Sequence, residues 1–379
     1  MRAMHGAESG NLPPYNLLLW LTLRRTPGVG ARTQLELLTH FGSIENIFSA
    51  SRGQLEKALV GKSAAISAIL DGPDEAKLGP ELDWLSESRH HLLVWSDPDY
   101  PPLLREIPDP PVMLYIAGNR QLLSRLQLAI VGSRNPTPMG RENADAFARS
   151  LARAGLVITS GMALGIDGTA HRGALAVDGA TIAVTGTGLD RVYPARHREL
   201  AHEIVEHGAL VSEFPLGTPP LPENFPVRNR IISGLSLGTL VVEAALQSGS
   251  LITARLAAEQ GREVFAIPGS IHSPQARGCH ALIRQGAKLV ESAQDVLEEL
   301  GPLASVTLQA ARECSTPALT PDSPMHTLLE HIGHDPVTID ALIERSGLTA
   351  DAVSSMLLQM ELNGLVSSCP GGKVQRISR

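Results

Sequence analysis

The sequence predicts an α/β protein with a doubly wound parallel sheet at its centre. Short apolar runs without polar alternation recur at residues 128–131, 156–159, 181–184, 209–211, 239–242 and 264–267. Stretches with a helical pattern, such as those near 140–154, 166–177 and 197–207, separate these runs. Continuous apolar strands that alternate with helices are typical of a parallel sheet buried on both faces.

A helical domain is predicted ahead of the sheet. Residues 1–14 are expected to form a disordered leader, and residues 15–88 have a helical pattern of SAM or helix-hairpin-helix type. The pattern is broken at Pro27-Gly28-Val29-Gly30, where glycines allow a tight turn and leave helix-start amides free to meet a phosphate. A plain turn between two helices of a bundle fits the same residues equally well. Residues 92–95 are predicted as a strand, and 98–111 as an extended connector.

The end of the chain is predicted to be a separate small domain. Residues 89–300 hold the central domain, and 301–324, rich in Pro, Ser, Thr and Ala, are a predicted linker. Three helices near 325–332, 339–345 and 351–363 follow, and then a hairpin about Pro370-Gly371-Gly372. Three helices and a terminal hairpin predict a winged helix over 325–379.

Charge is distributed unevenly along the 379 residues. The net charge of −7 argues against a uniformly basic protein that coats nucleic acid, but a local basic groove remains compatible with it. Residues 120–299 carry 17 Lys and Arg against 17 Asp and Glu, whereas the flanking segments are both acidic. Any basic site therefore lies in the central domain, where Lys288 is the one cation that is not Arg. Guanidinium groups match phosphate oxygens in a bidentate way.

Cysteine use and hydropathy predict a cytoplasmic protein with no membrane partner. Cys279, Cys314 and Cys369 are far apart and lack CxxC spacing, so neither a disulfide framework nor a zinc site is predicted. The apolar run at 17–23 is too short to span a bilayer, and its two Arg follow it rather than precede it.

Small residues follow several predicted strands. The loops begin with Gly132-Ser133-Arg134, with Ser160-Gly161 leading to Gly165-Ile166-Asp167, and with Ser248-Gly249-Ser250. Ligands of doubly wound sheets bind at these carboxyl ends, and free amides at helix starts suit phosphate. One such loop would be ordinary turn chemistry, but several on one rim favour an anion site.

No nucleotide cofactor is predicted. The loop after residue 131 lacks the G-x-G-x-x-G spacing and has Arg134 where a glycine would wrap a pyrophosphate. Gly61-Lys62-Ser63 lies in the helical domain without the context of a phosphate-binding loop. We therefore predict neither an NAD site nor an ATP site, and we expect no metal.

The segment 224–230 holds the most informative cations. Arg228 and Arg230 flank Asn229 at a predicted helix start, with Phe225 three residues before Arg228. Guanidinium groups and helix-start amides can clamp phosphates, and stacking on an aromatic ring contributes ~1–3 kcal/mol per base in any sequence. Alternatively, the two Arg pair with Glu213, Glu223 or Glu243 and brace the loop. Arg134 and Arg172 would extend the basic track.

Taken together, these motifs resemble the DprA/Smf family of bacterial DNA-processing proteins. The resemblance rests on Val131-Gly132-Ser133-Arg134, Ser160-Gly161-x-Ala163-x-Gly165-Ile166-Asp167-x-x-Ala170-His171, Tyr193-Pro194, Ser212-Glu213, Phe225-Pro226-x-Arg228-Asn229-Arg230, Val242-Glu243-Ala244 and Ser248-Gly249-Ser250-Leu251-Ile252-Thr253-Ala254. They run in order over about residues 90–300. The resemblance implies an extended Rossmann-like domain that forms a homodimer, binds single-stranded DNA without sequence preference in natural transformation, protects it and helps load the RecA recombinase.

The resemblance also implies which residues contact DNA. The candidate residues are Gly132, Ser133, Arg134, Ser160, Gly161, Gly165, Asp167, His171, Arg172, Phe225, Arg228, Asn229, Arg230, Ser248, Gly249 and Ser250. One departure is Gly179-Ala180, where relatives often have a basic residue before the third strand. One phosphate contact is then missing, unless Arg172 compensates.

An enzymatic alternative is a phosphoribohydrolase-type protein that cleaves nucleotides with Asp167, His171 and Glu243. The most similar stretch to the Gly-Gly-x-Gly-Thr-x-x-Glu turn of such enzymes is residues 237–243, but the paired glycines are absent. Glu243 also lies one residue further along the chain than the Glu of that turn, which would place it on the other side of its strand. Asp167 and His171, four residues apart, can form an acid/base pair. We expect instead that Asp167 caps a helix and His171 lines the pocket, and we predict no enzyme and no catalytic residues.

The predicted winged helix is acidic. From 325 to 363 there are six acidic residues against Arg345, and the helix near 351–363 has no Lys or Arg. Because affinity for a duplex depends on cations, we expect this domain to contact a protein partner rather than DNA.

Overall fold

The computed structural model describes residues 14–301, 328, 331–332, 337–362, 366–369 and 373–376. The chain divides into two compact units, with the boundary between residues 312 and 313. The predicted leader and the predicted linker lie outside the described residues, apart from Pro14 and Gly301 at their edges.

A nine-stranded sheet organises the first unit, in the order β1-β2-β6-β5-β4-β3-β7-β8-β9. The strands are β1 His90–Val94, β2 Met113–Gly118, β3 Gln127–Val131, β4 Val157–Ser160, β5 Thr181–Val184, β6 Ala209–Ser212, β7 Gly238–Val241, β8 Glu263–Ala266 and β9 Lys288–Leu289. Strands β3 to β9 pair in parallel, which confirms the predicted α/β class. The edge pairs β1–β2 and β2–β6 are antiparallel, and neither β2 nor β9 was predicted from the sequence.

Helices cover both faces of this sheet. In the first unit they are α1 Pro14–Arg25, α2 Ala31–Phe41, α3 Ile44–Ser49, α4 Arg52–Ala58, α5 Ser63–Asp71, α6 Glu75–Leu85, α7 Pro102–Arg105, α8 Pro138–Arg153, α9 Ile166–Leu175, α10 Arg198–His207, α11 Asn224–Leu235, α12 Ser250–Glu259, α13 Arg277–Arg284 and α14 Ala293–Glu299. Alternate strand residues enter different cores: Val131 packs with residues of α11 and α12, while Ile130 packs with residues of α8 and α9. Burial on both faces is the reason the strands read as unbroken apolar runs.

The first six helices share a core with the edge of the sheet. Trp20 of α1 belongs to the same buried cluster as Val94, Met113 and Tyr115 of β1 and β2. The α1 residue Arg25 forms an ion pair with Glu81 of α6, whose side chain is fully buried. The helical segment therefore packs against the edge of the sheet through a shared apolar core and is not joined to it by a flexible linker alone.

The strand order reverses at β3, which has β4 on one side and β7 on the other. The chain runs outward from β3 through β4, β5 and β6, then crosses back through α11 to β7. Loops that leave adjacent strands in opposite directions at such a switch point open a crevice at the carboxyl edge. This crevice contains the candidate site.

The second unit contains a three-stranded antiparallel sheet in the order β10-β12-β11. Its strands are β10 Val337–Thr338, β11 Val366–Cys369 and β12 Lys373–Arg376. The helices α15 Ile339–Ser346 and α16 Ala350–Leu362 pack over it, with Leu342, Val353 and Val374 in their common core. This arrangement confirms the predicted winged helix; most of the predicted helix near 325–332 and the predicted turn at 370–372 lie outside the described residues.

No helix within the described part of the chain combines the length and the apolar character needed to cross a bilayer.

Replacing Gly208 with alanine should destabilise the first unit. Gly208 joins α10 to β6, and a Cβ atom there would lie 2.1 Å from the carbonyl oxygen of Thr181. We expect the free energy of unfolding to fall by about 1–3 kcal/mol, as in other overpacked interiors. Thermal unfolding followed by tryptophan fluorescence measures this. Gly53→Ala on α4, where a Cβ meets no atom within 4 Å, is the matched control. Equal melting temperatures for the two variants would contradict the prediction.

Candidate nucleic-acid interface

A cleft of about 700 Å³ opens at the carboxyl edge of the sheet. Six strand-to-helix connections contribute to its wall, those after β3, β4, β5, β6, β7 and β8. Its lining includes Gly132, Ser133, Arg134, Asn135, Ala163, Asp167, Tyr193, Pro220, Pro222, Phe225, Pro226, Arg228, Asn229, Gln247, Ser248, Gly249, Ser250, Thr253 and Gln275. The small residues predicted after β3 and β7 therefore share this rim, whereas Ser160, Gly161 and Gly165 after β4 are not part of the lining.

The loops after β3 and β4 approach each other closely. The amide of Ile166 donates to the carbonyl of Ser133 over 3.1 Å. Gly165 lies between them with φ of +83°, and a Cβ atom there would be 2.3 Å from the same carbonyl oxygen. Only glycine allows this conformation and this contact. The close approach leaves the Arg134 side chain exposed at the mouth of the cleft.

Asp167 braces the loop after β4 from inside. Its Oδ2 accepts hydrogen bonds from the amides of Gly161, at 3.1 Å, and Ala163, at 3.3 Å. These amides precede α9, so Asp167 supports the loop rather than capping the helix as predicted. Burial raises the pKa of this carboxyl, and the nearby charge of Arg228 opposes the rise. Ser160 is fully buried and donates to the carbonyl of Ile130, which gives it a structural contact away from the cleft.

Arg228 joins three elements at the floor of the cleft. Its guanidinium is buried, and Nη1 donates to the carbonyls of Gly161 after β4 and Val184 at the end of β5. Its Nε donates to Oδ1 of Asn229 over 3.1 Å. Burial lowers the pKa of Arg228 to about 10, although the charge of Asp167 works in the other direction. The side chain lines the cleft, but main-chain carbonyls take the hydrogen bonds of its Nη1.

Arg230 lies outside the cleft. Its Nη2 donates to Oε2 of Glu213 over 2.6 Å and its Nε to Asp109 over 3.2 Å, with only 8% of the side chain exposed. This geometry matches the alternative in which the Arg pairs with Glu213 and braces the structure. Arg228 and Arg230, which were expected to clamp phosphates together, therefore lie on opposite sides of α11.

Two aromatic rings stand at the mouth of the cleft beside a cation. The Cζ atom of Arg134 lies 6.0 Å from the ring centre of Phe225, and the ring of Tyr193 is 5.7 Å from it at 40°. Tyr193 is 48% exposed. Neither Tyr193 nor Gln247 was among the predicted site residues; the Tyr193-Pro194 motif was the available signal for the first.

The start of α12 forms the opposite wall. Gly249 precedes the helix and provides no side-chain cap, while the hydroxyls of Ser248 and Ser250 lie 2.7 Å apart. The amide of Ser250 donates to the Ser248 hydroxyl, and the amides of Leu251 and Ile252 donate to the carbonyls of Ser248 and Gly249. The two hydroxyls at this helix start are therefore the groups that can meet an anion.

His171 and Arg172 do not line the cleft. His171 is completely buried, and its Nδ1 lies 2.7 Å from the hydroxyl of Thr181. Burial lowers its pKa to about 3. The expectation that His171 lines the pocket is wrong because this side of α9 faces the sheet. Arg172 is exposed on the same helix and donates to the carbonyl of Gly168.

The acid/base arrangement of the enzymatic alternative is not assembled. Glu243 accepts from the amide of Thr137 at 2.9 Å and from its hydroxyl at 2.6 Å, so it anchors the start of α8. Gly140 packs against this carboxyl group. Of Asp167, His171 and Glu243, only Asp167 lines the cleft. Within the described residues, no group of three acidic, His or Cys side chains could hold a metal ion.

Arg228→Ala should unfold more easily, whereas Arg134→Ala should not. The first change removes the donor to two buried carbonyls, each of which costs about 1–3 kcal/mol when left unpaired. The second removes an exposed side chain, and we expect a change within about 0.5 kcal/mol. Urea unfolding of both variants measures the difference. Equal stabilities would show that Arg228 does not hold the loops together.

Acidification should destabilise the protein partly through His171. Its pKa is lowered from 6.5 to about 3 in the folded chain, so between these values the unfolded chain binds the extra proton. Stability contributed by the neutral ring is therefore complete above pH 6.5 and is lost as the pH falls towards 3. Removing the ring should reduce the slope of the free energy of unfolding against pH by up to about 1.4 kcal/mol per pH unit. The measurement is urea unfolding of wild type and His171→Gln between pH 4.5 and 7; identical slopes would contradict the assignment.

Comparison with known proteins identifies the family. The model of DNA recombination-mediator protein A matches residues 91–301, and that of the DprA winged helix domain matches residues 312–372. The chain is 47% identical over 300 residues to protein Smf of Escherichia coli, covering 78% of this chain and 79% of that protein.

Two solved structures share the fold. DNA processing protein A of Streptococcus pneumoniae matches with a TM-score of 0.67 and 38% identity, covering 74% of this chain and 97% of that one. The Helicobacter pylori protein, for which a unique single-stranded DNA binding mode is described, matches with a TM-score of 0.51 and 32% identity, covering 55% and 95%. These findings confirm the resemblance seen in the sequence motifs: the chain belongs to the DNA recombination-mediator protein A family, also called DprA or Smf.

Proposed function

We propose that the central cleft binds single-stranded DNA without sequence preference. The observation that carries the proposal is the exposed Arg134 guanidinium 6.0 Å from the Phe225 ring at the mouth of the cleft. A cation beside an aromatic face provides the two contacts that any nucleotide offers, one to its phosphate and one to its base.

Single strands suit this cleft better than a duplex. The rings of Phe225 and Tyr193 can stack only on bases that are unpaired and separated from their neighbours. Beside these rings, the Arg134 guanidinium and the hydroxyls of Ser248 and Ser250 are groups that recognise the phosphate backbone rather than base edges. The single-stranded DNA binding described for the Helicobacter pylori relative supports the proposal.

The protein's wider role follows from its family. We propose that it forms a homodimer through the central unit, protects incoming strands in the cytoplasm during natural transformation and passes them to the RecA recombinase. The family's description as a recombination mediator supports this role. In this role the protein is a binding protein and not an enzyme.

The winged helix is proposed to contact a protein. Asp340 and Glu344 are both exposed on α15, one turn apart, so this face of the helix is acidic. A duplex would be repelled by such a face. Retardation of duplex DNA by the full chain that depended on the second unit would argue against this assignment.

Arg134→Ala should weaken binding of oligo-dT and of a random single strand equally. With few aromatic residues in the chain, phosphate contacts contribute most of the affinity, so the slope of log K against log salt should become shallower by about 0.7 for each phosphate that is no longer neutralised. Fluorescence anisotropy at several salt concentrations measures both quantities. Arg153→Ala, an exposed Arg in the last turn of α8 at the opposite edge of the sheet, is the control. Wild-type affinity in Arg134→Ala, or weakening restricted to one base sequence, would overturn the proposal.

A further inference from the structure

A second groove, of about 360 Å³, lies on the other side of α11 from the central cleft. Arg24 of α1, Gly30, Arg32 and Thr33 at the start of α2, and Val227 and Arg230 of α11 contribute to its wall. The Pro27–Gly30 turn of the sequence analysis therefore leads directly into it.

The start of α2 has no acidic residue in its first turn, and Gly30 before it provides no side-chain cap. The positive end of a helix dipole normally attracts a carboxylate or an anion. Here it has cations instead: Arg32 lies in the first turn, where its Nε is 3.3 Å from the exposed carboxylate of Glu36 one turn further on, and Nζ of Lys62 is 3.0 Å from the hydroxyl of Thr33. A bound anion would interact favourably with the helix start and with these cations.

Arg230 provides an independent indication of a ligand. Only 8% of its side chain is exposed, and its Nη1 has no hydrogen-bond partner although the residue lines the groove. Glu213 and Asp109 balance the charge of this one guanidinium. Arg24 donates its Nε and Nη2 to the main-chain carbonyl of Glu213, so these bonds do not neutralise its charge. Three cations, Arg24, Arg32 and Arg230, therefore line the groove against two carboxylates. Arg32 also pairs with Glu36, which does not line the groove.

We propose that this groove binds a phosphate group of the same DNA strand that occupies the central cleft. Helix α11 separates the two sites: Phe225 and Arg228 line the cleft, and Val227 and Arg230 line the groove. A strand that leaves the cleft over the exposed first turn of α11 reaches the start of α2. The inference rests on the proposed function and assigns the helical segment a share in DNA binding.

The test compares Arg32→Glu with Arg52→Glu in the full chain. Both residues are exposed in the first turn of a helix and both changes reverse one charge, but Arg52 does not line the groove. Affinity is measured for an oligo-dT series of increasing length. Short oligonucleotides fill only the central cleft and should bind both variants like wild type. Beyond a threshold length, Arg32→Glu should bind several-fold more weakly, with a salt dependence reduced by about 0.7.

Each outcome decides between the two proposals. Wild type that fails to bind short oligo-dT would overturn the proposed function, whatever the groove does. Arg32→Glu that binds long oligo-dT as tightly as Arg52→Glu would overturn the groove assignment alone. So would an effect of Arg32→Glu that is confined to duplex DNA. Inorganic pyrophosphate serves as the small-anion probe: if it stabilises wild type but not Arg32→Glu while long oligo-dT binding is unaffected, the groove takes free phosphates and not the strand.

Discussion

The hydrogen bonds of the buried Arg228 guanidinium to two main-chain carbonyls hold the candidate site in its shape. These bonds tie the first turns of α11 to the ends of β4 and β5, although Arg228 is 67 and 44 residues along the chain from its two partners. In the same loop after β4, two main-chain amides donate to Asp167, while the carbonyl of Gly161 accepts from Arg228. Buried side chains therefore hold both the amide and the carbonyl groups of this loop. A rigid floor of this kind lets the exposed groups above it meet a ligand without first being ordered, which lowers the entropic cost of binding.

The two Arg of the Arg228-Asn229-Arg230 segment illustrate how one short motif can serve different purposes. Residues two apart on a helix point in directions about 200° apart, since each residue advances about 100°. Arg228 therefore reaches the floor of the cleft while Arg230 reaches Glu213 on the opposite side. The exposed cation of the cleft comes from a different loop, that of Arg134. Contact with the ligand and support of the binding surface are thus divided between loops.

The fold could be predicted from the sequence to a large extent because burial on both faces leaves a simple signal. The runs that became β3 to β8 were recognisable, whereas β9, with two exposed residues, has no such signal. Strand β2 was not predicted because it follows a proline-rich connector and, unlike most strands of the parallel sheet, is not followed by an α-helix. The rim loops of the site were also predictable, since glycine and serine after a strand indicate close approach of the main chain. The directions of His171 and Arg230 were not, because they depend on which neighbour offers a partner: Thr181 for the first and Glu213 for the second.

The core shared by α1 and the β1–β2 edge has a consequence for how the protein can be divided. Val94, Met113 and Tyr115 are buried by the helical segment, so a fragment that begins after α6 would present these side chains to water. An uncovered apolar patch beside an open strand edge invites self-association. We therefore expect that a fragment of this chain must retain the first six helices to stay free of self-association, even though sequence motifs alone would place the boundary near residue 88.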